Sequence, residues 1–267
     1  MKEESMELVP AAPAGELAVN GMLADFEADA GQGFENVTAK DMAIPFITVL
    51  QSNSPQVQEG DGKYIDGARP GMLYNTVTGE VYDGRKDGIT VIPCFFQKLV
   101  VEWRPRDSGG GIAGRHAVGS DEAQPVGTNE KGKPVSAAGN TLEDTAYHFV
   151  LIVKADGNVS WGVLALKSTQ LKHSKKWLTV MNGIRIDVGG RKVQPPMFAF
   201  TYKITTVLEE NAQGKWYGLH IEPAGMVQDA NQYAAAKAFA LQVKGGKAKM
   251  SENEDGSAAP ASDDVPF

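Results

Sequence analysis

Segments rich in β-branched and aromatic residues constrain the fold of this chain most strongly. The first, at 89–104, reads ITVIPCFFQKLVVEWR, and the second, at 145–154, reads TAYHFVLIVK. Such residues favour strands, and Pro93 in the first segment indicates a bulge or a sheet edge. The turn residues at 155–158 predict a hairpin between the second segment and a strand at 159–166. The sequence therefore predicts a mainly β domain.

The rest of the chain adds two helices and a second hairpin. Residues 168–181 carry apolar side chains at helical spacing behind a serine that can cap a helix. Strands are predicted at 197–208 and 215–222 around a turn at 211–214, and a last helix at 230–243. The resulting element order is that of an OB-fold, a five-stranded Greek-key barrel with a helix between its third and fourth strands. We therefore expect a mainly β fold with α, an OB-fold-like five-stranded barrel (β-β-β-α-β-β) with an N-terminal extension and a disordered acidic C-terminal tail.

The two ends of the chain differ from its middle in charge. The 267 residues have a net charge of −7, but residues 1–41 hold nine acidic and two basic residues, and residues 251–267 hold five acidic residues and no basic one. Residues 42–250 therefore hold 19 acidic and 24 basic residues, a net charge of +5. A basic body between acidic ends favours a polyanionic partner. We expect a flexible acidic segment at 1–41, an OB-like nucleic-acid-binding domain with embellishments at 42–243, and a disordered acidic tail at 244–267.

Basic residues concentrate after the predicted third strand. Residues 167–192 contain seven of them against one acidic residue, Asp187. Three of the lysines share one helix face, at spacing i, i+3, i+4. Because cations neutralise phosphates and bases stack on interleaved aromatic rings, this cluster favours nucleic acid over a merely solvated helix face. Its members are Lys167, Lys172, Lys175, Lys176, Arg185, Arg191 and Lys192.

Further candidates for nucleic-acid binding lie at strand ends and on strands. Trp103 and the basic residues after it lead into a long Gly-rich loop, about 105–143, which can fold over a bound nucleic-acid strand. Trp161 on the central hairpin and Trp216 on the last strand are candidates for base stacking, although core burial is as good an explanation for Trp161. This second set comprises Trp103, Arg104, Arg106, Arg115, His116, Trp161, Lys203 and Trp216.

The last residues of the chain form an acidic tip with an aromatic end. The sequence Ser262-Asp-Asp-Val-Pro-Phe267 resembles the acidic tip of bacterial single-stranded DNA-binding proteins, which ends Asp-Asp-Ile-Pro-Phe. In that family the final Phe fills an apolar pocket on a partner protein, and the carboxylates meet basic residues around it. The resemblance implies the same partner-binding role for Asp263, Asp264, Val265, Pro266 and Phe267. The alternative is an ordinary solubilising tail.

Three stretches of the body resemble a family of tailed-phage proteins described as single-stranded DNA-binding. They read IPFITVLQSNSP at 44–55, PGMLYNTVTGE at 70–80 and VEWRPR at 101–106. The resemblance covers about 44–120 and implies a phage protein of OB-fold type. The body does not closely resemble the bacterial single-stranded DNA-binding proteins.

The sequence offers no pattern for catalysis, a cofactor or a metal. Cys94 is the only cysteine, which excludes a disulfide framework and a Cys-based zinc cluster, and the four histidines are not at metal-ligand spacing. The stretch at 109–114 fits the motif G-x-G-x-x-G and the stretch at 127–133 fits most of a P-loop, but no helix is predicted after either, and Pro134 stands where a P-loop needs Ser or Thr. We therefore expect a protein that is not an enzyme.

The function expected from the sequence is sequence-independent binding of single-stranded DNA in phage replication, recombination or repair. The tip would recruit replication or recombination proteins. A phage single-strand annealing recombinase, a nuclease and an interaction adaptor that binds no DNA are the alternatives. No apolar run is long enough for a membrane span, and the acidic N-terminus is unlike a signal peptide, so we expect no membrane partner and a location in the host cytoplasm. The sequence leaves homo-oligomerisation open.

Overall fold

The computed structural model describes residues 43–212, 214–246 and 249–250, together with eight scattered residues between 22 and 35. The predictions for the rest of 1–41 and for the tail from 251 onward lie outside the described residues. From residue 43 onward the described chain is mainly β, as the sequence predicts, with two α-helices.

The strands and helices have the following bounds. The strands are β1 (Ala43–Ile44), β2 (Ile47–Val49), β3 (Leu73–Asn75), β4 (Val81–Tyr82), β5 (Ile89–Trp103), β6 (Ile112–Ala117), β7 (Gly127–Thr128), β8 (Pro134–Val135), β9 (Thr141–Val153), β10 (Val159–Lys167), β11 (Ile186–Val188), β12 (Arg191–Val193), β13 (Phe200–Asn211), β14 (Gly214–Met226) and β15 (Lys249–Met250). The helices are α1 (Leu171–Gly183) and α2 (Ala230–Lys244).

Five long antiparallel strands form a curled half-barrel in the order β10-β9-β5-β13-β14. β5 and β9 pair along almost their whole length, with a bulge between Pro93 and Phe95 as Pro93 predicts. β13 joins β5 only through Tyr202, Lys203 and Ile204. The far end of β5 pairs instead with β6, and β8 extends the outer edge of β9. One edge of β5 therefore pairs with β9, and its other edge pairs with β13 near its start and with β6 near its end.

The open side of the half-barrel is filled by the N-terminal sheet β2-β3-β4. β10 and β14 do not pair with each other in the part of the chain that is described, and β2 packs between them. On one side Val163 N donates a hydrogen bond of 2.9 Å to Pro45 O. On the other side the Gln51 side chain acts like a strand backbone: its Nε2 donates to Tyr217 O (2.9 Å) and its Oε1 accepts from Tyr217 N (2.8 Å). The predicted N-terminal extension thus forms the side of the barrel between β10 and β14.

The inner face of the half-barrel holds one apolar core, and α1 closes one end of it. Val150, Ile152 and Leu164 point into this core from β9 and β10, and Trp177 and Met181 enter it from α1. Because buried and exposed positions on α1 alternate at helical spacing, the helix keeps its lysines outside. α1 begins at Leu171, after a 3-10 turn at Ser168–Gln170, so Ser168 does not cap the helix as predicted.

The outer face of the same strands is covered by α2. Ala236, Phe239, Ala240 and Val243 follow the spacing i, i+3, i+4, i+7 and pack against β5, β9 and β10. Trp161 stacks on Phe239, with ring centroids 5.1 Å apart and planes 10° apart. This placement favours the core explanation for Trp161. Residues 145–152 of β9 are therefore buried on both sides of the sheet.

The segment predicted as a long loop at 105–143 contains strands, so that prediction was wrong. β6 forms a hairpin with β5, and β7 pairs with β8. The Glu102 carboxylate holds the segment: Oε1 accepts hydrogen bonds from Ser136 Oγ (2.6 Å) and Asn140 Nδ2 (2.9 Å), and Oε2 lies 2.8 Å from His116 Nε2. Since these strands are short, their order depends on contacts that the local sequence does not reveal.

Acid should destabilise the fold through His148, which is 1% exposed between Trp177 and Phe96. Burial lowers the pKa of His148 from 6.5 to about 3. Between those values the unfolded chain binds a proton that the folded chain does not, so the free energy of unfolding falls as the pH falls. We expect this residue alone to remove about 1–2 kcal/mol between pH 6.5 and 5.

Urea unfolding of the wild type and of His148→Phe across this pH range measures the effect. The free energy of unfolding of the variant should depend less steeply on pH. Ser174→Ala is the matched control, because it removes the hydrogen bond to His148 Nε2 (2.8 Å) but keeps the buried imidazole. Equal pH slopes for the wild type and His148→Phe would contradict the assignment.

Candidate nucleic-acid interface

The outer side of α1 carries three lysines, as the sequence predicts. Lys172, Lys175 and Lys176 are exposed, whereas Ser174 and Trp177 on the opposite side are buried. The side chains at i, i+3 and i+4 lie next to each other on a helix, so the three ammonium groups share one surface.

The hairpin of β11 and β12 follows α1 in the chain and carries further cations of the predicted cluster. Its two strands pair with each other and with no other strand of the described structure. Gly189 and Gly190 turn the hairpin with positive φ angles of 58° and 79°. Arg191 and Lys192 are exposed on β12. Arg185 lies between α1 and the hairpin.

Most of these cations have no acidic partner. Lys175, Lys176, Arg185, Arg191 and Lys192, which we call the basic surface, have no carboxylate within 4.0 Å in the described part of the chain. Arg185 Nη1 donates instead to the carbonyl oxygens of Asn182 (2.6 Å) and Ile184 (2.8 Å) at the end of α1. Asp187, the acidic residue within the cluster, accepts a hydrogen bond from Gly190 N (2.8 Å). The basic surface therefore keeps its charge available to an anion.

Lys172 differs, because Glu209 neutralises it from the β13–β14 hairpin. Lys172 Nζ lies 2.8 Å from Glu209 Oε2, and His173 Nε2 lies 2.9 Å from Oε1 of the same carboxylate. Trp216 Nε1 donates to Glu209 Oε2 at 2.9 Å. Burial would raise the pKa of Glu209, but the hydrogen bond from Lys172 and the charge of His173 outweigh burial and lower it. The count of acidic residues within 167–192 thus missed the partner of Lys172, which comes from another element, and the same carboxylate holds the Trp216 indole.

A second group of predicted residues meets on the outer face, beside α2. Lys167 Nζ lies 4.2 Å from the centre of the Trp103 ring and 3.9 Å from Glu143 Oε2. Arg115 lies on β6 in the same cross-strand row as Glu143, and its Nε donates to Tyr147 Oη at 3.4 Å. These cations already contact aromatic and acidic groups, so they are less available than the basic surface.

The remaining predicted residues are dispersed. Arg104 Nη1 donates to Ile112 O (2.8 Å) within the β5–β6 hairpin, and His116 is paired with Glu102. Lys203 is half-buried on β13, opposite Glu222 of β14. The side chain of Arg106 and the tip residues Asp263, Asp264, Val265, Pro266 and Phe267 lie outside the described residues.

Sequence reasoning missed a groove beside the start of α1. The groove has a volume of about 420 Å³ and runs between β8, β9 and α1, with Val100, Ala123 and Leu142 at its floor. Ser168 lines it with φ of 50°, the one positive φ outside glycine among the described residues. Such a conformation is uncommon for a residue with a Cβ, and no local pattern predicts it.

No helix among the described residues is long and apolar enough to cross a membrane. No three His, Cys, Asp or Glu side chains come together there in an arrangement that could hold a metal ion.

Comparison with known proteins identifies a phage family. Residues 15–249 match the family model of the Pam3 phage gp34-like protein. No curated protein and no solved structure matches the chain. The matched region includes the half-barrel, the basic surface and α2, which is well over half of the sequence. The chain therefore belongs to the Pam3 phage gp34-like family.

Proposed function

We propose that this phage-family protein binds single-stranded DNA without sequence preference and without catalysis, in DNA replication, recombination or repair in the host cytoplasm. The basic surface carries the proposal: five exposed cations on α1, on the β11–β12 hairpin and between the two have no carboxylate partner in the described residues. Binding through phosphates is independent of sequence, because every nucleotide carries the same phosphate.

We also propose that the half-barrel is an OB-like domain. In chain order its long strands are β5, β9, β10, β13 and β14, with α1 between the third and the fourth. The first strand pairs with the second and the fourth, as an OB-like barrel requires. β2 and the side chain of Gln51 would take the place of the closing contact between the third and fifth strands.

The path of the bound DNA would differ from that in a simple OB-fold. Oligonucleotides bind such barrels across the second and third strands, which here are β9 and β10. α2 packs on their outer face, with Phe239 on Phe149 and Trp161. We infer that the DNA strand runs over the basic surface instead.

The alternative functions predict different assay results. A single-strand annealing recombinase would pair complementary strands and form rings or filaments visible by electron microscopy. A nuclease would cleave the strand in the presence of magnesium, and an adaptor would bind a protein partner but no oligonucleotide.

Removal of charge from the basic surface should weaken DNA binding and its salt dependence together. In the triple variant Lys175→Ala, Arg191→Ala, Lys192→Ala, the slope of log K against log salt should become less negative by about 2, since each phosphate contact contributes about 0.7 on a single strand. Fluorescence anisotropy with labelled oligo-dT over a salt series measures this slope.

A second triple variant is the matched control. Lys63→Ala, Lys131→Ala, Lys237→Ala removes the same charge from exposed positions in two turns and on α2. It should change the slope much less. Equal losses in the two variants would indicate only a general effect of net charge and would contradict the proposed path.

The acidic tail should compete with DNA and recruit partners. Residues 251–267 carry five acidic residues, so a chain truncated after Met250 should bind oligo-dT more tightly at low salt, with a smaller gain at high salt. Phe267→Ala retains the charges and should leave DNA affinity unchanged, but it should abolish capture of replication or recombination proteins from infected cells. Weaker DNA binding after truncation would contradict the competition.

A further inference from the structure

The groove beside the start of α1 has an apolar floor of ligand size. Val100, Ala123 and Leu142 form the floor, and each of them is buried. The volume of about 420 Å³ lies within the range of about 300–1,000 Å³ that is typical of sites for small organic ligands. Ser168 lines the same groove with its positive φ, and residues held in such a conformation cluster at functional sites. The groove is therefore large enough for a nucleobase.

The rim of the groove places a carboxylate next to an ammonium group. Because side chains alternate along a strand, Leu142 and Asp144 share one face of β9, and Val100 and Lys98 share the matching face of β5. Asp144 lines the groove, and its Oδ2 lies 2.5 Å from Lys98 Nζ. Glu143 belongs to the opposite face of β9. A hydrogen-bond acceptor and a donor thus lie side by side above the apolar floor.

Such a rim matches the chemistry of an unpaired nucleobase. The Watson–Crick edge of each of the four bases carries at least one hydrogen-bond donor and one acceptor, so a carboxylate beside an ammonium group can bond to any of them. In a duplex these edges are already paired. The phosphates that the basic surface would contact are present in single and double strands alike, so the basic surface alone does not select a single strand.

Cations lie on two sides of the groove. Lys133 lines it next to β8, and Leu171 lines it on α1. Lys175 follows Leu171 by four positions, which at 3.6 residues per turn places it about 40° away around the helix axis. Neither lysine has a carboxylate within 4.0 Å in the described chain. The groove is thus continuous with the basic surface, and Asp144 at its rim disfavours an acidic peptide as the occupant.

We propose that this groove holds an unpaired nucleobase of the bound DNA, with the ring over Ala123 and Leu142 and the Watson–Crick edge toward Asp144. The backbone on the two sides of this base runs past Lys133 and Lys175. The base site rests on the proposed function and adds a physical reason for a preference for single strands. A paired base cannot present this edge, although its phosphates can still meet the basic surface.

An abasic strand of the same length as oligo-dT tests the base site by fluorescence anisotropy. The wild type should bind oligo-dT about tenfold more tightly than the abasic strand, as expected for a bound base. Ala123→Leu fills part of the floor, so it should remove most of this difference by weakening oligo-dT binding. Its affinity for the abasic strand should stay unchanged, which also shows that the variant is folded. Ala138→Leu, at an exposed position that does not line the groove, is the matched control.

Asp144→Ala separates the base contact from the effect of charge. Loss of a carboxylate should by charge alone tighten the binding of any DNA strand. The base site predicts the opposite for oligo-dT, namely weaker binding, without weaker binding of the abasic strand. The exposed Asp121, in the 3-10 turn Asp121–Ala123, provides the matched control. Asp121→Ala should follow the effect of charge with both strands.

The remaining outcomes distinguish the base site from the proposed function. If the wild type binds both strands equally, or if Ala123→Leu keeps the full difference between them, the base site is wrong while DNA binding stands, and the groove is left for a protein segment. Tighter oligo-dT binding by Asp144→Ala would equally overturn the base site. Binding of neither strand by the wild type would overturn the proposed function together with the base site.

Discussion

The burial of β9 on both faces is the constraint on which the rest of the structure depends. Ala146, Val150 and Ile152 point into the half-barrel, and Phe149 and Leu151 point to the opposite side. A strand that is apolar on both faces needs cover on both, since exposed apolar surface of this size is unfavourable. α1 and the N-terminal sheet contribute to the inner core, and α2 covers the outer face. The C-terminal helix is therefore part of the core of this fold.

This cover also bears on the proposed path of the DNA. Because α2 occupies the outer face of β9 and β10, the proposed path of the DNA follows residues 171–193, where five exposed cations have no carboxylate within 4.0 Å in the described residues. The carboxylate of Glu209 links α1 to the β13–β14 hairpin through Lys172, His173 and Trp216. This link pairs one lysine of the cluster with a carboxylate, whereas Lys175 and Lys176 have no carboxylate within 4.0 Å in the described residues. The helix thus combines an apolar side that closes the core with a charged side that is available outside.

Local signals allowed the long elements to be predicted. The β9–β10 hairpin and α2 lie within a few residues of their predicted bounds, because alternation, a turn sequence and helical spacing are local patterns. The contacts that complete the site are not local. Gln51 and Tyr217 are 166 positions apart, and Glu209 reaches Lys172 from another element. Phe198 illustrates the limit: it alternates with Phe200 and Tyr202 in sequence, but it lies in a 3-10 turn and packs against Tyr233 of α2.

Amide hydrogen–deuterium exchange of the protein with and without oligo-dT tests the central claim most directly, because it locates the bound strand without any substitution. The account predicts slower exchange in α1 and in the β11–β12 hairpin, with little change in α2. Protection of α2 and β10, with unchanged exchange over 171–193, would place the DNA on the outer face of the sheet and contradict the account.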